Sequence, residues 1–292
     1  MLWCQQSLHQ RSNSKRRRRH QVNDILMGLH FHKPFPFNFN SSWIKATYAG
    51  EKAPYGWHPP TDDEYINTTR QLSIHEYAHH YSRVSESEFL KAMGVLATEY
   101  YLWKYGKADY IGAGSYRRYL LLDDTKQAAH KIIMAANQKT ADYLSSEAMK
   151  DTALKLLEKH DLITNLPITM LGKDIESQYL ESQPYEYWNL FIQGIMELFP
   201  DYRNKIDWFK GNTINFETSY IMRKQMFKKY ISEFFELLEY IWTHTDKTYP
   251  IEPTTSEPFP WRYPGFLGER FFPFFVYANG LNPAYVPLVL VE

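Results

Sequence analysis

The chain has 292 residues, 44% of them hydrophobic and 17% aromatic, with 33 basic and 33 acidic side chains. That length suffices for a full core, and the single cysteine, Cys4, excludes a disulfide framework or a cysteine-only zinc site and favours a reducing compartment. No run of about 18 apolar residues occurs, so no membrane-spanning helix is expected, and the start MLWCQQS lacks the apolar stretch of a secretory signal.

Residues 1–23 contain Arg11, Lys15, Arg16, Arg17, Arg18 and Arg19 and no acidic residue before Asp24. Like-charge blocks of this kind stay solvated, so a disordered basic arm is expected, of a composition that could also bind nucleic acid or anionic lipid headgroups. The folded domain is expected over 24–292. ILMGLHF (25–31) is an apolar run of strand length, stopped by the prolines of HKPFPF. Residues 40–72 read as loop, and a helix is expected from Ser87, with apolar positions at helical spacing up to Tyr101 and Gly106 at its end. ADYIGAG (108–114) reads as a buried strand, followed by two helices within 126–159 and the strand HDLITNLP (160–167). Residues 184–210 carry helical aromatic patterning broken at Pro200. TINFETSYIM (213–222) is strand-like, and Lys224–His244 is an amphipathic helix. Beyond a proline-rich loop (249–264), GERFFPFFVYANG is expected as a helix with a proline kink, and YVPLVLVE as strand or tail.

Strands alternating with helices argue for an α/β sheet with helices on its faces. Ligands of such sheets collect beyond the carboxyl ends of the strands, which points to His32 and Lys33, to Ser115–Tyr119 and to Arg223.

Two patterns compete for the chemistry. HEYAHH (75–80) satisfies HExxH: on a helix, His75 and His79 would share a face around zinc, with Glu76 as general base. The downstream helices supply no third ligand in a recognisable pattern, so a zinc hydrolase is the weaker reading. KADYIGAGSYRRYLLL (107–122) brings Asp109, a Gly-Ala-Gly turn and then Tyr116, Arg117, Arg118 and Tyr119 together. Guanidinium forks match phosphate oxygens and a ring stacks on a base or sugar, so such a cluster suits a diphosphate. The same residues also suit surface ion pairs over a tyrosine-containing core.

YIGAGSYRRYLLL resembles the signature of a bacterial glycosyltransferase family, the capsular polysaccharide biosynthesis proteins known as domain of unknown function 4422 (DUF4422). HKPFPF, KHDLITNLP, SQYLESQ, ELFPDY, SYIMRKQMFKKY and PGFLGERFF follow in that family's order. The resemblance runs from about Asp24 to the end. It implies a GT-A-like α/β domain with a mixed central sheet flanked by helices. It also implies a glycosyltransferase moving a hexose or galactofuranose from a uridine diphosphate carrier to a polysaccharide or glycolipid in surface polysaccharide synthesis. His32, Lys33, Asp109, Ser115, Tyr116, Arg118 and Arg270 would border the donor, Arg117 would carry leaving-group charge, and Glu269 would be the base. Asp123 and Asp124 would hold Mn2+ or Mg2+ where a metal is used, although an N-cap pair suits them equally. The partners implied are the nucleotide sugar and a glycan or lipid-linked glycan, with the basic arm touching the inner membrane face of a cytoplasmic protein and no nucleic acid involved.

The chain departs from the family pattern at Ser115, where a His is usual, at Val95-Leu96-Ala97 in place of Glu-Leu-Thr, and at Glu217-Thr218 in place of Tyr-Asn. A hydroxyl does not titrate near neutrality or ligate metal as an imidazole does. A sugar-nucleotide-binding relative without activity is therefore the alternative reading.

Overall fold

The structure is a computed structural model that describes residues 24–31, 36–48, 95–123, 131–216, 219–245 and 263–292. The basic arm, His32, Lys33, the HEYAHH segment and Asp124 lie outside the described residues. In chain order, β1 (Ile25–Phe31) and β2 (Ile44–Tyr48) precede α1 (Val95–Tyr105), β3 (Tyr110–Ser115), β4 (Arg118–Leu120), β5 (Lys131–Met134), α2 (Gln138–Leu144) and α3 (Glu147–Leu157). Then come β6 (Leu162–Asn165), β7 (Ile168–Thr169), α4 (Ile175–Leu180), α5 (Tyr185–Leu198) and a 3-10 helix (Pro200–Lys210). The chain continues through β8 (Thr213–Ile214), β9 (Tyr220–Arg223), α6 (Lys224–His244), α7 (Tyr263–Ala278), β10 (Pro283–Val286) and β11 (Leu288–Val291).

The expected α/β fold, a mixed central sheet flanked by helices, is the one found. β2, β1 and β3 lie side by side in parallel. β9 runs antiparallel between β3 and β6, and β10 pairs in parallel with β6 on its outer side. At its carboxyl end β3 turns through Tyr116 and Arg117 into β4, which leaves the central strands to pair with β11, itself paired with β5. β7 and β8 form a separate two-stranded sheet.

Strand alternation divides the core in two. Ile111, Ala113, Leu162, Tyr220 and Met222 face a layer built by α1 and α4 to α7. Tyr110, Met27, Leu29, Ile163 and Ile221 face the opposite layer, which holds α2, α3 and the β4–β11–β5 wing. Such period-two division is what a sheet covered on both sides requires. The long helix α6 buries Phe227, Tyr230, Ile231, Phe234, Leu237, Leu238 and Ile241 at spacings of three and four, which puts one apolar stripe on the sheet and on α5 and α7. Gly28 in β1 is needed for close approach: a Cβ there would lie 2.7 Å from Thr98 and 2.9 Å from Leu102 of α1.

Several elements differ from expectation. β2 falls inside the segment read as loop, and β5 inside the segment read as two helices. TINFETSYIM divides into β8 and β9, strands of different sheets. α7 starts at Tyr263, within the stretch read as a proline-rich loop, and carries Pro273 in its interior.

Candidate functional site

β1, β3 and β6 point the same way, so Phe31, Ser115 and Asn165 end at one edge of the sheet. At that edge the β3–β4 turn is fixed from within. The Tyr116 amide donates to the His30 carbonyl at 3.0 Å, and the buried Tyr119 hydroxyl donates to the Tyr116 carbonyl. Both tyrosine rings sink into the core, Tyr116 at 5.6 Å from Phe31 and Tyr119 at 5.7 Å from Phe39. Burying residues 116 and 119 turns Arg117 outward. Its guanidinium carbon lies 5.8 Å from the Tyr116 ring centroid, and it meets no carboxylate among the described residues. Arg118 is half-buried and Ser115, paired with it across the turn, is partly exposed.

Next to this turn lies a polar network. Ser219 precedes β9 and donates its hydroxyl to the Arg118 carbonyl at 3.2 Å. The space for that hydroxyl exists because residue 114 is glycine; a Cβ there would stand 2.9 Å from it. Thr164 donates to the Ser219 carbonyl at 3.0 Å and accepts from Asn215 at 3.1 Å. Asn165 donates to the Phe216 carbonyl at 2.9 Å and accepts from the Ser219 amide at 3.4 Å.

Phe216 leads to the second charged motif. Its ring centroid lies 5.0 Å from the Arg270 guanidinium, with the rings of Tyr179 and Phe266 also in cation–π range. Arg270 is 1% exposed. It donates to the Phe266 carbonyl at 2.8 Å, to Glu269 at 3.1 Å and to Gln178 of α4. Burial pulls its pKa down from the ordinary guanidinium value, opposed by the charge of Glu269. Glu269 keeps a third of its side chain exposed.

The structure brings Ser115, Tyr116, Arg117 and Arg118 together, and places Glu269 and Arg270 where Phe216 connects them to the same network. It corrects four expectations. Asp109 precedes β3 rather than ending it, so the full length of the strand separates it from the arginine turn; its carbonyl instead accepts the Lys224 amide at 2.9 Å. Arg223 ends β9, which runs antiparallel, and so lies at the Asp109 edge over the Tyr110 ring. Arg270 is sealed in the core by protein acceptors and aromatic rings and offers no surface to a donor. Tyr116 likewise contributes backbone and packing, being 4% exposed. Asp123 accepts the Tyr143 hydroxyl, and among the described residues no group of three or more His, Cys, Asp or Glu side chains could hold a metal ion.

Residues 91–280 match the family model described as domain of unknown function 4422, well over half of the chain. The chain belongs to the DUF4422 family. No curated protein matches it. Among solved structures, the apo bifunctional glycosyltransferase WbbM has a similar fold, with a TM-score of 0.66 at 16% identity. The similarity covers 92% of this chain and 46% of that one, so this chain spans about half the length of WbbM. In this DUF4422 protein the matched region includes the arginine turn, Asn165, Gln178 and the Glu269–Arg270 pair, while β1 and β2 precede it.

Sequence reasoning missed Asn165, Ser219, Phe216 and Gln178 as parts of this site. Asn165 had a usable signal: it is the last residue of a buried β-branched strand, at the carboxyl end where ligands of α/β sheets gather. Ser219 and Gln178 had none, because their partners lie about a hundred residues away.

Proposed function

We propose that this protein is a GT-A-type glycosyltransferase that takes a sugar from a nucleotide-diphosphate donor, with a uridine diphosphate hexose or galactofuranose the donor class that the family resemblance suggests. The observation that carries this reading is the outward-facing Arg117 on a rigid turn at the common carboxyl edge of β1, β3 and β6. An exposed guanidinium that meets no carboxylate among the described residues, set on a turn whose backbone is hydrogen-bonded into the core, suits a diphosphate ligand. Family membership and the fold shared with a bifunctional glycosyltransferase support it.

In this reading the diphosphate lies against Arg117, with Ser115 and Arg118 at its border. As the bond between the sugar carbon and the diphosphate oxygen breaks, Arg117 stabilises the charge that grows on the leaving group. The acceptor hydroxyl forms the new bond to that carbon and gives its proton to the Glu269 carboxylate, the partly exposed member of the pair on α7. Arg270, being buried, holds Glu269 and does not touch the donor. Asp123 is engaged with Tyr143, so leaving-group charge is assigned here to the arginine turn; a Mn2+ or Mg2+ requirement is read in the experiment below. The acceptor in this proposal is a polysaccharide or lipid-linked glycan at the inner membrane face, with the basic arm supplying attraction to anionic lipid. No helix among the described residues is long and apolar enough to cross a membrane.

A thermal-shift screen of nucleotide sugars and free nucleotides, with and without manganese, tests donor class and metal need together. A uridine nucleotide is expected to raise the melting temperature, and Arg117→Ala to abolish that shift while leaving the unliganded melting temperature within about 2 °C, as befits an exposed side chain. An unchanged shift in Arg117→Ala would remove the turn from the site. Nucleotide binding with no transfer from any donor would favour the alternative of a binding relative without activity.

A further inference from the structure

The geometry points to Asn165 as a positioning residue that couples the two halves of the site, the arginine turn and the Glu269–Arg270 pair; this rests on the transferase reading above. Each half is carried by a different part of the chain. The turn belongs to the β3–β4 hairpin and Glu269 to α7, and Phe216 and Ser219, which precede β9, touch one half each. Phe216 lies on the Arg270 guanidinium at 5.0 Å. Ser219 holds the Arg118 carbonyl at 3.2 Å. Neither Phe216 nor Ser219 lies in a strand, so their backbone polar groups need partners from elsewhere.

Asn165 supplies two of them with one planar amide. Its Nδ2 donates to the Phe216 carbonyl at 2.9 Å, while its Oδ1 accepts from the Ser219 amide at 3.4 Å. The side chain is 4% exposed and stands at the end of β6, whose strand neighbours are β9 and β10. A carboxamide is the side chain that donates and accepts at once from a fixed plane. Thr164 also bonds the Ser219 carbonyl and Asn215. The spacing between Phe216 and Ser219, and with it the spacing between Glu269 and the Arg117–Arg118 turn, is therefore set by a rigid strand end. Transfer depends on that spacing, because a base displaced by about 1 Å loses on the order of a hundredfold in rate.

The two arms predict opposite kinetic signatures. Asn165→Asp keeps the shape but puts an acceptor where the Phe216 carbonyl needs a donor. It is expected to bind uridine diphosphate within about twofold of the parent by calorimetry while kcat falls at least about tenfold. Ser219→Ala removes only the hydroxyl bond to Arg118 and is expected to raise the donor KM by about threefold with kcat nearly kept. Combined with Glu269→Gln, Asn165→Asp should lower the rate no further, since both act on the same carboxylate. Equal loss of nucleotide affinity and kcat in Asn165→Asp would mark general loosening and overturn the proposal, as would a parental kcat. Should Asn165→Asp fail to fold, a Ser219→Ala protein with parental donor KM overturns it in the same way. A parent protein that binds no nucleoside diphosphate overturns the transferase reading and this inference together, whereas a transferring parent with an indifferent Asn165 overturns the inference alone.

Discussion

Glu99 sits in α1 at 3% exposure, its Oε1 accepting the Tyr220 hydroxyl at 2.5 Å and its Oε2 without a partner among the described residues. Burial raises its pKa from the ordinary 4.5 to about 7, and the Tyr220 hydrogen bond opposes the rise. Tyr220 and Tyr230, both pushed well above the usual phenol value, stay protonated at neutral pH, and Tyr220 goes on donating its hydrogen bond to Glu99. The sign follows directly. The folded protein keeps this proton up to about pH 7 and the unfolded chain releases it near 4.5, so the unfolded state binds fewer protons in between. The contribution of Glu99 to stability is therefore full below pH 4.5, falls as pH rises to about 7, and is flat above, a loss of about 3 kcal/mol at 1.36 kcal/mol per unit. Glu99→Gln keeps an acceptor for Tyr220 and cannot ionise. Denaturant titrations at pH 5 and pH 8 are expected to show the Gln variant gaining about 2 kcal/mol on the parent between the two. A stability difference identical at both pH values would mean that Glu99 does not titrate in this range. At the same scale, adjacency in sequence misled the reading of GER: Glu269 and Arg270 both looked accessible, but neighbours on a helix point about 100° apart, and here one faces water and the other the core.

Among elements, the 3-10 helix, α6 and the end of α7 meet at one phenol. The Tyr202 hydroxyl donates to Glu233 at 2.8 Å and accepts from Lys229 at 3.1 Å and from Asn279 at 2.7 Å. Glu233 is raised by burial above the usual carboxylate value, so the phenol matters to it. Tyr202→Phe leaves all three groups short of a partner and is expected to lower stability by about 1–2 kcal/mol, with the denaturant m-value unchanged. Nucleotide affinity should stay the same, since no described contact links Tyr202 to the arginine turn; reduced affinity would show that the far end of α7 reaches the site. Legibility at this scale followed length and burial. β1, β3 and α6 were readable because each is an uninterrupted apolar or amphipathic run, buried as its pattern requires. β5 was not, because KIIM alternates exposed with half-buried positions and has no apolar face until β11 is beside it. β8 and β9 read as one strand because Asn215 and Phe216, which follow β8, include no glycine or proline to mark a break.

For the whole molecule, the misplacement of Arg223 comes from strand direction, which the carboxyl-end rule needs and periodicity does not carry, whereas Asp109 was misplaced because β3 begins only after it. β9 is antiparallel, so its last residue lies at the edge opposite Ser115. Long-range pairing also ties the last strand to the site. β11 joins β4 to β5, and the Val291 amide donates to the Arg117 carbonyl at 2.9 Å. A residue more than 170 positions from the turn thus helps hold its backbone, alongside the Tyr116 amide and the Tyr119 hydroxyl. Proline at 291 would delete the one group that makes this bond, whereas alanine would keep it and remove only the buried methyl groups of Val291. Val291→Ala is expected to lose about 1–2 kcal/mol of stability and to bind uridine diphosphate as the parent does. Val291→Pro is expected to lose about 3 kcal/mol and, in the fraction that remains folded, to bind the nucleotide about tenfold more weakly, because a loosened turn must be ordered on binding. Calorimetry on both variants at a temperature where each is folded separates the outcomes. Equal affinities would show that the guanidinium of Arg117 is placed by the β3 side of the hairpin alone, with β11 serving only to close the core layer beneath α2 and α3.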